Sequence, residues 1–375
     1  MQIDFSGIKA DYLAHKNLID TYIHQVLQSG NFIMGEEVQK LENNLQNFLG
    51  SKYAITCSDG TSALFLALKA IDIKDNDEII TTPFSFFAST EAIILSGARP
   101  VFVDIDETFN LNPQLIESAI TKRTKAILAV SLFGQMPNFV ALKEIAKKYK
   151  ITLIEDGAQS FGASFQDSQN RIYKSLNTAD ISTTSFFPAK PLGCFGDGGA
   201  VFCNDLFLAE KIKALRSHGQ KKRYEHQYIG INSRLDTLQA SILNAKLTYF
   251  PSSLQARREV AQYYLENLKD IPQIKLPKIL PHSQSAFAQF SILLESKNIR
   301  TQLKDFLHSC SIPTAIHYPI PIHLQNALKN LAYTQGDFPC AEKTAQTILS
   351  LPINPYLTDE EKEYIVSKIK EFYEK

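Results

Sequence analysis

Lys190 has no charged residue beside it in the chain; Ala189, Pro191 and Leu192 are its neighbours. A β-branched and aromatic run, Ile181 to Phe187, leads into Pro188, and Gly193, Gly196, Gly198 and Gly199 follow the lysine. An amine held between a strand end and a glycine loop is open to desolvation, which lowers its pKa and prepares it as a nucleophile. A solvated turn lysine fits the same stretch, so other residues must decide. Asp156, in Glu155-Asp156-Gly157-Ala158-Gln159, follows the apolar segment Lys150–Ile154. Open α/β sheets bind ligands at the carboxyl ends of their strands. A carboxylate there could serve a metal, a ribose or a protonated ring nitrogen, or simply cap the next helix. Asp59-Gly60-Thr61-Ser62 sits where a strand hands over to a helix. The amides of a first helical turn suit a phosphate, although Gly-Thr-Ser is also an ordinary cap.

One chemistry uses all three pieces. A pyridoxal 5′-phosphate site needs a lysine to hold the cofactor as a Schiff base, an acid to keep the pyridine nitrogen protonated, and amides for the phosphate. Neither histidine pairs nor carboxylate clusters at metal spacing compete for the site, so no metal is expected. A Gly-x-Gly-x-x-Gly opening a helix, which a nicotinamide-binding domain requires, is absent.

The elements that must position these residues follow from pattern. Strands are expected at Tyr53–Cys57, Glu78–Thr81, Pro100–Val103, Ala126–Ser131, Thr152–Glu155, Ile181–Phe186 and Gly199–Cys203. Between them lie helical patterns at Ser62–Ala70, Ser89–Ser96, Pro113–Ala119, Phe139–Tyr149 and Leu206–Ser217. Alternation of this kind predicts an α/β fold, a large and mostly parallel sheet with helices on both faces. Residues 16 to 50 read as helical, interrupted at Ser29-Gly30-Asn31 and Gly35. Beyond Thr237–Leu247 the character changes to a charged helix, Arg257–Leu268, a proline-punctuated stretch, a strand at Ala288–Leu294, and helices at Ile299–Ser309 and Thr358–Tyr373. The expected division is a large domain over 1–250 and a smaller α+β domain over 251–375, with the first fifteen or so residues packing on the latter.

The 375 residues carry 39 basic and 39 acidic side chains, a balance that argues against nucleic-acid or membrane-surface partners. No apolar run is long enough to span a bilayer, and the amino terminus lacks the pattern of a secretion signal. Five scattered cysteines read as reduced thiols of a cytoplasmic protein.

Nearly the whole chain resembles the DegT/DnrJ/EryC1/StrS family of sugar-nucleotide aminotransferases, pyridoxal-phosphate enzymes of fold type I. The resemblance rests on Gly-Asn-Phe-Ile-Met-Gly at 30–35, Asp-Gly-Thr-Ser-Ala-Leu at 59–64, and Pro-Phe-Ser-Phe-Phe-Ala-Ser-Thr at 83–90. It continues through 97–104, 132–135, 155–159, 185–193, 216–220 and 232–236. The resemblance implies that Lys190 holds the cofactor and moves the proton, that Asp156 pairs with the ring nitrogen, and that Gln159 meets the phenolic oxygen. It further implies that Gly60, Thr61 and Ser185 hold the phosphate, that Phe86 stacks on the ring, and that Asn232 reaches in from a partner, making a homodimer with shared sites. Ala189 and Pro191 depart from the commoner Ser and Asn around the lysine, and Ser233 from a common Tyr.

Within the family, the segments around 186–200, 218–236 and 313–321 are similar to those of an enzyme that uses L-glutamate to aminate UDP-2-acetamido-2-deoxy-3-oxo-glucuronic acid at C3. By that resemblance Arg234 and His317 would contact the sugar and its carboxylate, with Tyr318 near the hexose; His323, in a pattern found in many keto-sugar aminotransferases whose substrate has no carboxylate, is also expected to contact the substrate. The product would enter a surface polysaccharide. A dTDP- or UDP-linked 3-keto- or 4-keto-6-deoxyhexose is the alternative acceptor. A pyridoxal-phosphate sugar dehydratase usually has His in place of the lysine, or an iron–sulfur cysteine set, and a non-enzymatic regulator would not need Asp156, Gln159 and Lys190 together.

Overall fold

A computed structural model describes residues 3–167 and 169–374. Residues 1 and 2, on which part of the secretion-signal reading rests, lie outside them. The chain opens with helix α1 (Ile8–Ser29) and α2 (Glu36–Leu49), separated where Gly30 takes a left-handed φ of 69° and ends the first helix. Strand β1 (Tyr53–Cys57) and helix α3 (Gly60–Ala70) follow, then β2 (Glu78–Thr81), α4 (Ala88–Leu95) and β3 (Arg99–Phe102). Next come a short helix α5 (Ile116–Ala119), β4 (Thr124–Val130), α6 (Phe139–Tyr149) and β5 (Thr152–Asp156). A hairpin of β6 (Ser164–Gln166) and β7 (Ile172–Lys174) precedes β8 (Ile181–Ser185), β9 (Gly199–Cys203) and α7 (Leu206–Arg216).

Seven of these strands form one sheet in the order β1-β9-β8-β5-β4-β2-β3. Strand β9 runs antiparallel to both neighbours, and every other pairing is parallel. Side chains of successive strand residues go to opposite faces, and both faces are covered. Ile80, Ile127, Ala129 and Leu153 face one core, whereas Ile79, Ala126, Leu128 and Ile154 face another. Burial on both sides explains why these strands read as continuous apolar runs rather than as alternating ones.

Helix α8 (Thr237–Leu268) crosses residue 250 without a break and contains Pro251. The expectation of two helices there was incorrect. A proline inside a helix removes one backbone bond, but Leu243, Phe250, Leu254, Ala261 and Tyr264 bury an apolar stripe along the whole length. After it, strands Ile274–Lys275, Phe290–Leu294 and Ile348–Leu351 form a small sheet. Helices α9 (Lys297–Ser309), α10 (Pro339–Thr347) and α11 (Asp359–Glu374) complete the chain. Tyr264, Phe290, Leu303, Leu349, Leu351 and Ile365 share a core with Ile3, so the amino-terminal segment does pack against the carboxyl-terminal one. Asn354 Nδ2 donates to the Asp4 carbonyl at 2.9 Å. No helix among the described residues is long and apolar enough to cross a membrane.

Candidate active site

The carboxyl end of β5 delivers Asp156 next to Val130 of β4 and Thr183 of β8. Adjacent residues of a strand point to opposite sides, so Glu155 and Asp156 are separated although both are buried. Glu155 is absorbed structurally: it accepts from Ser131 Oγ at 2.7 Å, Ser175 Oγ at 2.6 Å and the Leu176 amide at 2.7 Å. Asp156 faces the site with fewer partners, accepting from Ser89 Oγ at 2.7 Å and from the Ala158 amide at 3.2 Å. Burial pushes its carboxyl above the usual range, while Ser89, the Ala158 amide and the charge of Lys190 pull it back.

Lys190 lies beyond the end of β8, in a loop closed by its own amide to the Phe187 carbonyl at 2.8 Å and by Cys194 to Phe186 at 2.8 Å. As a residue it is half-buried, but its amine is desolvated enough to lower its pKa, with the Asp156 charge opposing. The isolated lysine and the strand-end aspartate are thus within electrostatic reach of each other.

At the start of α3, Asp59 caps the helix by accepting from the Ser62 amide at 2.7 Å, beside Gly60 and Thr61 in the first turn. Ser185 closes over this turn: a Cβ on Gly60 would stand 2.7 Å from the Ser185 Cβ. Gly199, opposite Ser185 in β9, approaches still closer, with the Asp59 carbonyl 2.3 Å from where its Cβ would be. Glycine is required at both positions for this packing.

Gln159 is held at both ends of its amide. Its Oε1 accepts from the Phe133 amide at 2.7 Å and its Nε2 donates to the Tyr318 hydroxyl at 3.2 Å. Tyr318 is also 6.2 Å, centroid to centroid, from Phe86, which is 59% exposed. Burial pushes the Tyr318 hydroxyl pKa up, and the Asp156 charge adds to the effect. His317 bonds Ser350 Oγ through Nδ1 at 2.9 Å; burial lowers its pKa and the Lys190 charge lowers it further. These residues converge on one side of the sheet's carboxyl edge.

Asn232 and Arg234 behave as an extended segment dictates. Both project together, Arg234 Nε donating to Asn232 Oδ1 at 3.0 Å, and Asn232 is exposed. Ser233, between them, is buried and turns the other way, against Ser58 Oγ at 3.0 Å. His323 is not brought to the group. Its side chain is fully buried, with Nε2 3.1 Å from Glu342 Oε1 and its ring against Phe338 at 4.7 Å. The expectation that it touches substrate is therefore replaced by a core histidine, its pKa lowered by that burial.

Ser89 was not foreseen as a site residue, nor Ser85, whose Oγ lies 3.0 Å from that of Ser89. Ser89 lies in the first turn of α4 and Ser85 in the bend before it, so no helix periodicity marks the pair. The Phe133 amide leaves no mark in a side-chain sequence.

The donor set fits pyridoxal phosphate: a desolvated amine, a buried carboxylate within reach of its charge, a helix start beside Ser185 whose first-turn amides suit a phosphate, and the Gln159 amide bonded to Tyr318. Residues 14–370 match the DegT/DnrJ/EryC1/StrS aminotransferase family. The UDP-2-acetamido-2-deoxy-3-oxo-D-glucuronate aminotransferase of Pseudomonas aeruginosa is 45% identical, covering 95% of this chain and 96% of that protein. The dTDP-3-amino-3,4,6-trideoxy-alpha-D-glucose transaminase of Streptomyces venezuelae is 35% identical, covering 100% and 97% respectively. The crystal structure of NtdA from Bacillus subtilis, with bound cofactor PMP, superposes with a TM-score of 0.91 at 29% identity, covering 100% of this chain and 86% of that one.

The chain belongs to the DegT/DnrJ/EryC1/StrS aminotransferase family. It is an aminotransferase whose cofactor is pyridoxal phosphate.

Proposed function

We propose that this protein transfers the amino group of L-glutamate to C3 of UDP-2-acetamido-2-deoxy-3-oxo-glucuronate, leaving 2-oxoglutarate and a 3-amino sugar for a surface polysaccharide. The observation that carries the aminotransferase chemistry is the placement of buried Asp156 at the end of β5 and Lys190 in the loop beyond neighbouring β8, close enough for the charge of each to act on the other. The Pseudomonas relative supports this acceptor over other keto sugars.

Bound pyridoxal phosphate supplies an electron sink for the carbanion formed when the substrate carbon loses its proton. Lys190 would hold the cofactor, and its amine would take up and return that proton. Asp156 keeps a proton on the ring nitrogen, and Ser89 keeps Asp156 oriented and ionised. Gln159 directs its amide to the phenolic oxygen, and Phe86 covers the ring. Gly60, Thr61 and Ser185 receive the phosphate. Arg234, with its planar fork of donors, takes the sugar carboxylate, and His317 and Tyr318 border the hexose.

The working unit in this reading is a cytoplasmic homodimer with large and small domains over 1–250 and 251–375. Phe32, Ile33 and Met34 are exposed apolar residues, and they lie against the Asn232 segment through the Ile33–Asp236 bridge and the bond from the Thr237 amide to the Phe32 carbonyl. A second copy covering them would carry Asn232 to its neighbour's phosphate. Assay of the purified protein with glutamate against a panel of 3-keto and 4-keto nucleotide sugars tests the acceptor. Preferential turnover of the 3-keto uronic acid is expected; preference for a 6-deoxy-4-keto sugar would overturn it.

A further inference from the structure

Behind the lysine loop lies a second set of charges that the chemistry above does not use. Lys246 of α8 has a side chain only 8% exposed. Its ammonium donates to the Gly193 carbonyl at 2.7 Å, pairs with Asp11 Oδ2 at 2.6 Å, and stands 4.9 Å over the Phe195 ring. Asp11 belongs to α1 and accepts from the Tyr356 hydroxyl at 2.6 Å and the Tyr249 hydroxyl at 3.2 Å. Three remote parts of the chain, the first helix, the lysine loop and the segment before α11, therefore meet at one buried ion pair.

Resting on the reading of Lys190 as the cofactor lysine, we propose that the Lys246–Asp11 pair is a positioning device that fixes the loop from which Lys190 projects. Gly193 is a tightly packed point of that loop, since a Cβ there would stand 2.6 Å from the Pro188 carbonyl oxygen. Lys246 grips the carbonyl at this point, three residues from Lys190, and the loop has no strand or helix of its own to fix it. A buried ammonium is stable only with a counter-charge and satisfied donors, and Asp11 provides the charge. Tyr249 and Tyr356 in turn occupy the lone pairs of Asp11 that Lys246 leaves. The first helix thus acts on the site through Lys246.

The experiment compares the native holoenzyme with Lys246→Met, Asp11→Asn, the double variant and Lys246→Arg. Its readouts are the half-life of cofactor release, the pH midpoint of the visible absorption band and the fraction of Lys190 labelled by borohydride. Melting of the cofactor-free protein is followed alongside. Both single substitutions are expected to shorten the release half-life at least about tenfold, the scale of one charged hydrogen bond, and to move the midpoint. The double variant should lose no more than Lys246→Met, and Lys246→Arg should regain most of the native half-life. Unchanged half-life and midpoint in both single variants would overturn the proposal, even if melting falls. Should Lys246→Met not fold, the nearly isosteric Asp11→Asn decides alone by the same measures. Native protein labelled at a different lysine would sink the cofactor assignment itself, whereas labelling at Lys190 with unaffected variants would sink only the positioning role.

Discussion

Asp156 and Gln159, on the cofactor side of the site, are each fixed by two partners within the chain, Ser89 and the Ala158 amide for one, the Phe133 amide and Tyr318 for the other. At the rim of the site, Asn232 and Phe86 are exposed, and Arg234 bonds only its exposed neighbour Asn232 among the hydrogen bonds described. The first region is a set of strand ends whose geometry the sheet dictates. The second is a rim that one chain leaves open. In the reading proposed above, chemistry is set by the fixed half, and acceptor choice falls to the half that a ligand or a second copy would complete. Substitutions on the fixed side should therefore damage turnover with every acceptor, and those on the rim should discriminate between acceptors.

The largest effect is expected for Lys190→Ala. It should abolish covalent cofactor attachment, measured by borohydride reduction and peptide mapping, and reduce turnover by at least about a thousandfold for all acceptors, as befits loss of the proton-transfer group. Asp156→Asn should follow, retaining bound cofactor while cutting turnover at least about a hundredfold, because a neutral amide cannot hold the proton on the ring nitrogen. Near-native turnover with Asp156→Asn would reduce that residue to a structural partner of Ser89 and the Ala158 amide and remove the contrast between the two regions.

Arg234→Lys probes the rim. A lysine keeps the charge but loses the planar fork, so KM for a uronic-acid nucleotide should rise by roughly 1.5–3 kcal/mol in binding, the scale of a charged hydrogen bond, with KM for glutamate little changed. Equal rises for both substrates would contradict a sugar-side location. Mixed with Lys190→Ala, the variant should form heterodimers with one native site if, as proposed, each site draws these residues from different chains; no recovery despite demonstrated exchange would contradict the shared site.

The same contrast explains what the sequence disclosed. Strands β1, β2 and β9 and helix α6 fall where pattern placed them, because two-sided burial of the sheet makes apolar runs unambiguous. A strand end carries Asp156, so that position follows from the strand, whereas Ser185 is named by the family resemblance alone. Pattern failed where tertiary packing overrode it, as at Pro251, which sits inside α8 because the helix is buried along one face on both sides of it. It failed also for the hairpin Gln220–Lys222 with Glu225–His226, whose charged, exposed residues show no alternation of apolar side chains. His323 resembled a substrate contact by motif, yet its surroundings are Phe338 and Glu342, which only the packing of α10 reveals.

The smallest effect sought is the one from Ser89, and its sign is fixed by the electrostatics. The folded carboxyl of Asp156 already sits above its ordinary range through burial, and the Ser89 hydroxyl is the largest of the influences that bring it down. A hydrogen bond to the charged form favours that form. Ser89→Ala should therefore raise the carboxyl pKa further, so that Asp156 stays protonated, and unable to balance the ring-nitrogen proton, to a higher pH than in the native protein. The acid limb of the turnover profile should move upward, while well above that limb turnover should fall only several-fold, since the Ala158 amide still orients the carboxylate. The apoprotein offers an independent check. A carboxyl with a raised folded pKa binds its proton more tightly when folded, so its contribution favours the folded state at low pH and fades as pH rises through the folded value. Ser89→Ala should extend that fading to higher pH, which melting measured against pH in the cofactor-free protein would detect. An acid limb that stays in place, or moves down, would mean that Ser89 packs beside Asp156 without tuning it, and the cofactor side would then owe its fixed character to Lys190 and the backbone alone.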